Sequence, residues 1–159
     1  MKEREFGIIE KQRVIDWCGP ACMADAAKKL GKETSQEELA SVMHTIHPDG
    51  TSHDGMIDGA LALGVNFRAS QQSSLKRLNE DIRQGRQVIV NFMDGNDYQN
   101  DGHYSILAEV KKKLVLLNDP QGEGYLRAMN RREFERKWFD FEGEKRVQRW
   151  ALVLWPRTP

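Results

Sequence analysis

Cysteine is scarce in this chain: its 159 residues hold two, Cys18 and Cys22. Two cysteines cannot build a disulfide framework. Four residues apart, they would meet on one helix face, and a bridge there would close only a tiny loop. Long apolar runs are missing too, and none approaches the ~20 residues that a membrane span requires. The start, Met1-Lys2-Glu3-Arg4-Glu5, is charged and has no apolar h-region, so no secretory signal is visible. The expected compartment is the cytoplasm, of a bacterium. Net charge is absent as well, with 24 Lys and Arg against 24 Asp and Glu. A nucleic-acid binder needs a basic surface to neutralise phosphates, so nucleic acid is not an expected partner. The basic cluster of Arg131, Arg132, Arg136 and Lys137 also holds Glu133 and Glu135 and reads as a solvated helix face. Internal repeats, low-complexity tracts and linkers are not seen.

What is present suits one compact domain over residues 1–159, with 39% hydrophobic and 30% charged residues. Phe6 to Val14 reads as irregular. Cys18-Gly19-Pro20 opens a helix, because Pro fits a first turn where its missing N–H costs nothing. Good helix formers continue to Leu30, and Gly31 stops them. Ser35 and Glu38 form a capping box ahead of a helix from Gln36 to Met43. Thr51 or Ser52 caps a helix from His53 to Leu63, which ends at Gly64. Val65 to Ala69 reads as a short strand. Leu75, Leu78 and Ile82 predict a helix from Ser74 to Gln84, ended by Gly85.

Beyond Gly85 the period changes. Gln87 to Met93 predicts a buried strand. Asp94 to Gly102 is a polar, acidic loop, placed to border a cleft and to favour a basic or Gly-containing ligand segment. His103 to Val110 and Lys113 to Leu117 predict a hairpin turning at Lys111-Lys112, closed by Asn118-Asp119-Pro120. A short helix from Asn130 to Trp138 and a strand from Trp150 to Trp155 complete an α+β chain.

Chemistry gathers at few places. Cys18 sits at a predicted helix start, where unpaired N–H groups and the helix dipole favour a thiolate. Gly19 lets a substrate backbone approach, and Pro20 fixes the start of the helix. Cys22 has no such surroundings and reads as a core residue. A metal held by Cys18 and Cys22 lacks a second ligand pair at metal-site spacing. His44, His47 and His53 crowd a polar segment and read as solvent-facing, and the His44/His47 pair lacks a third ligand. His103 heads a rigid strand, which suits a general base. Hairpin topology places Asp119 beside it, able to orient the imidazole, although the same tripeptide also reads as a plain turn. Asn118 and Asp101 are the alternatives for that third role.

Gln12-x5-Cys18-Gly19-Pro20-Ala21-Cys22, followed by Gly50-Thr51-Ser52, Gly102-His103-Tyr104 and Asn118-Asp119-Pro120, resembles the C39 family of cysteine peptidases. These are papain-like domains that remove double-glycine leaders from bacteriocin precursors. The resemblance runs from about residue 10 to 155. It implies a papain-like fold, a Cys18–His103–Asp119 triad, and Gln12 in the oxyanion hole. It implies a peptide or protein substrate, an acyl-thioester on Cys18, and no metal or organic cofactor. The best-known members are parts of ABC transporters; these 159 residues hold no membrane or ATPase segment, so a stand-alone relative is expected. The same residues serve a glutamine deamidase or a transglutaminase-like acyltransferase, in which only the fate of the acyl-enzyme differs. A silent peptide-binding module is the remaining alternative, opposed by the intact set of four residues.

Overall fold

A computed structural model describes residues 11–95, 102–122 and 126–158. Residues 6–10 of the irregular start and 96–101 of the acidic loop, Asp101 among them, lie outside the described residues.

Three helices come first: α1 (Cys18–Lys29), α2 (Gln36–Val42) and α3 (His53–Leu63). Their ends follow the caps read from sequence. Ser35 Oγ accepts from the Glu38 N–H, and Ser52 Oγ from the Gly55 N–H. Ser52 rather than Thr51 is therefore the α3 cap. Gly64 takes the left-handed conformation and ends α3. Strand β1 (Asn66–Ser70) and helix α4 (Leu75–Arg83), capped by Ser74, follow. Then come β2 (Gln87–Met93), β3 (Gly102–Val110), β4 (Leu114–Asn118), β5 (Arg127–Asn130), α5 (Arg131–Lys137), β6 (Phe139–Glu142), β7 (Lys145–Gln148) and β8 (Ala151–Trp155).

Six strands form one antiparallel sheet in the order β1-β8-β2-β3-β4-β5, while β6 and β7 pair apart. Alternate residues of the central strands feed two cores. Ile89, Tyr104, Ile106 and Leu152 meet helices α1 to α3. Val88, Val90, Phe92 and Leu117 meet α4 and α5. Both sheet faces are thus covered, which explains why β2 and β8 read as continuous apolar runs rather than alternating ones. Trp138 is fully buried, and its indole N–H donates to the Trp150 carbonyl at 3.0 Å, so its one polar atom is satisfied. The architecture is α+β and papain-like, with β5, β6 and β7 added to the strands predicted from sequence.

Gly55 lets α3 approach the end of α2. A Cβ there would lie 2.3 Å from the Met43 carbonyl oxygen, a backbone atom that cannot swing aside. Gly55→Ala is expected to destabilise the fold by about 1–3 kcal/mol through overpacking, read as a lower urea midpoint at unchanged m-value.

Candidate active site

His103 opens β3 and is 4% exposed; Asp119 directly follows β4 and is 3% exposed. The β3–β4 hairpin brings them together, as its topology predicts. The His103 Nε2–H donates to Asp119 Oδ1 at 2.8 Å. Nε2 being engaged, Nδ1 is the ring nitrogen available to Cys18. The Asp119 carboxylate also accepts from the Gln121 N–H at 2.9 Å and from Arg127 at 3.0 Å.

Cys18 is the first residue of α1 and is partly exposed. Helix α1, which Cys18 opens, packs against β3, where His103 stands near the start. Thr51 helps to hold that approach. Its carbonyl accepts from the Tyr104 hydroxyl at 3.0 Å, and its side chain lies where a Cβ on Gly19 would come within 2.8 Å. Gly19 therefore makes room for Thr51. This corrects the expectation that its missing side chain admits a substrate backbone. Cys22 lies in the core with no exposure, as expected of a cysteine away from the helix start.

Charges alternate across the site. Burial works against a charged His103, but hydrogen bonding to Asp119 and Cys18 and the charges of both raise it to about 10. Burial likewise opposes a charged Asp119, and His103, the Gln121 N–H and Arg127 overcome it, lowering the carboxyl to about 2. Burial pushes the Cys22 thiol up, with Cys18 adding to the effect.

Unfolding returns the pair to ordinary values of 6.5 and 3.8. The stability that Asp119 contributes is present above pH 3.8 and is lost as pH falls through about 2. That of His103 is present below pH 6.5 and is lost as pH rises through about 10. The urea midpoint is expected to decline between pH 6.5 and 10, and to decline less in Asp119→Asn.

Gln12 is tied to the same end of the sheet, its backbone N–H donating to the Pro120 carbonyl at 3.0 Å. Its side-chain amide faces the turn before Cys18, donating to the carbonyls of Val14 at 3.1 Å and Ile15 at 2.6 Å. In this conformation the amide braces that turn. Asn118, the alternative third residue, is buried, and its carbonyl accepts from Ser105.

The remaining histidines divide. His44 and His47 are exposed and turn to different carboxylates, Asp58 and Asp16. His53, expected in solvent, is instead buried, stacked on Trp150 at 4.4 Å between centroids and facing Asp140 and Glu142. Its neighbours in sequence are polar; its burial comes from a residue nearly a hundred positions away. Arg127 escaped the sequence reading altogether. Its guanidinium bridges Asp94, at 2.7 and 2.9 Å, and Asp119. The acidic loop therefore begins with a neutralised carboxylate. Asp94, His103 and Asp119 also form a group dense enough for a cation, but Arg127 already supplies the positive charge there. No helix among the described residues is long and apolar enough to cross a membrane.

Comparison with known proteins agrees with this fold. The fold matches the peptidase domain of Streptococcus ComA, a bifunctional ABC transporter involved in quorum sensing, at a TM-score of 0.75 and 21% identity. That match covers 96% of this chain and 99% of that one. It matches a putative C39-like peptidase from Bacillus anthracis at 0.75 and 14%, covering 95% of each. It matches a double glycine motif protease from an AMS/PCAT transporter, in complex with its leader peptide, at 0.69 and 17%, covering 95% and 92%. An uncharacterized protein of Methanothermobacter marburgensis is 29% identical over 113 residues, 71% of each chain. The model of the Peptidase C39 family matches residues 6–141. A family match over most of the chain, on the fold of these peptidase domains, makes this protein a member of the peptidase C39 family.

Proposed function

We propose that the protein is a cysteine peptidase that hydrolyses a peptide amide bond through Cys18, His103 and Asp119. One observation carries the reading. A buried His103–Asp119 hydrogen bond of 2.8 Å stands where α1 delivers a partly exposed thiol at its first turn. In the resting site the imidazolium faces the Cys18 sulfur. The thiolate attacks the substrate carbonyl carbon, and the oxyanion forms beside the unpaired N–H groups of the α1 start. Gln12 joins as a second donor when its amide leaves the Val14 and Ile15 carbonyls. His103 then protonates the departing amine as the C–N bond breaks, leaving a thioester on Cys18. Water, deprotonated by His103, attacks that thioester and releases the acid. Asp119 keeps the Nε2–H in place throughout and stabilises the imidazolium.

The substrate class we assign is a peptide carrying a double-glycine motif, in line with the leader-peptide complex of the transporter protease at 17% identity. The test is incubation with synthetic Gly-Gly peptides, followed by mass spectrometry. Cleavage after the glycines, absent in Cys18→Ala, is the expected result. Intact peptides overturn the substrate class. A gain of about one dalton on glutamine-containing peptides moves the acyl-enzyme chemistry to deamidation.

A further inference from the structure

Arg127 has no counterpart among the residues that the peptidase reading assigns, and it touches the one carboxylate that reading depends on. Asp119 Oδ1 is occupied by His103 and the Gln121 N–H, while Oδ2 accepts from Arg127 at 3.0 Å. Arg127 opens β5 and Asp94 directly follows β2, with β3 and β4 between those strands in the sheet. The guanidinium therefore crosses the strand ends that carry His103 and Asp119. It lies 5.9 Å from the centre of the Phe92 ring, which itself meets the His103 ring edge-on at 5.8 Å.

A bare guanidinium at this place would harm the site, because it would draw the Asp119 charge away from the imidazole. Asp94 removes that difficulty by holding Arg127 with two hydrogen bonds of 2.7 and 2.9 Å. From His103 outward the groups then alternate in sign: imidazolium, carboxylate, guanidinium, carboxylate. We propose that Arg127, neutralised by Asp94, is a positioning residue that fixes Asp119 toward His103 and keeps it ionised. The inference rests on the Cys18–His103–Asp119 reading above. It follows that the two members of the pair control opposite sides of the pH profile. Without Arg127, Asp119 is no longer held toward His103 and a positive charge is lost beside the pair, so thiolate and imidazolium form only at higher pH and the acid limb moves up. Without the Asp94 charge, Arg127 competes with His103 for Asp119, the imidazolium is held less well, and the alkaline step, at which it loses its proton beside a persisting thiolate, moves to lower pH.

The experiment is the rate of Cys18 alkylation by iodoacetamide from pH 4 to 10, for the full chain and for Arg127→Gln, Arg127→Lys and Asp94→Asn. Arg127→Gln should raise the acid limb by about one pH unit and slow labelling about tenfold within it. Arg127→Lys should recover most of that shift. Asp94→Asn should move the alkaline step to lower pH and leave the acid limb in place. If the parent labels rapidly and all four profiles superpose, the assignment of Arg127 is overturned and the triad stands. A lower melting temperature with an unshifted profile overturns it equally, by making the contact merely structural. If Arg127→Gln fails to fold, the lysine and asparagine variants carry the same decision. A parent Cys18 no more reactive than an unfolded thiol overturns the triad instead.

Discussion

His103→Ala is expected to lower turnover on the order of 10⁶-fold, as loss of the base does in enzymes whose nucleophile and base act as a unit. The residue is almost completely buried, and Asp119 and Cys18 together hold it charged. In the proposed mechanism its removal takes away both the counter-ion of the thiolate and the acid that protonates the leaving amine. A free thiol is only about 0.3% ionised at pH 6, so alkylation of Cys18 there should fall as well, by up to about 10²-fold. His103→Gln fills more of the vacated space and separates loss of chemistry from loss of packing. Turnover in either variant within tenfold of the parent would remove His103 from the mechanism.

Asp119→Asn should cost about 10⁴-fold in kcat while the protein stays folded. The carboxylate now receives the Nε2–H of His103. An amide at the same place can turn its NH2 toward Nε2, which favours the tautomer with the proton on Nδ1. That tautomer cannot take the Cys18 proton. Arg127 still has Asp94 as partner, and the hairpin is held by its own ladder, so the circular dichroism spectrum should be unchanged. Unaltered turnover in Asp119→Asn would move the orienting role to another residue.

The parts of this site that were legible in the sequence are the local ones. Cys18 stood out because Gly19, Pro20 and a run of helix formers mark a helix start. His103 and Asp119 could be paired because a stretch spanning sixteen positions and containing one hairpin must bring its ends together. The same locality made β2 readable, since Val88 to Phe92 is nearly all apolar. What escaped depends on distant partners. Strand β5 is four residues, Arg127 to Asn130, with only Met129 buried, and its pairing with β4 defines it. Strands β6 and β7 are short and rich in charge and pair with each other apart from the main sheet. Arg127 and Asp94 are 33 positions apart, so their contact has no sequence period. His53 looked solvated because its neighbours are polar, yet Trp150 stacks on it. Gln12 was singled out by its place six residues before Cys18, while the direction of its amide follows from two turn carbonyls.

Activation of Cys18 by His103 is the step on which the proposed chemistry depends. Peptide mapping after brief treatment with iodoacetamide at pH 6 measures this directly, because Cys22 in the same molecule serves as the internal control. Cys22 is completely buried, and burial pushes its thiol up. Rapid labelling of Cys18, none of Cys22, and loss of the Cys18 reaction in His103→Ala is the predicted result. Equal, slow labelling of both cysteines, unchanged by His103→Ala, would contradict it.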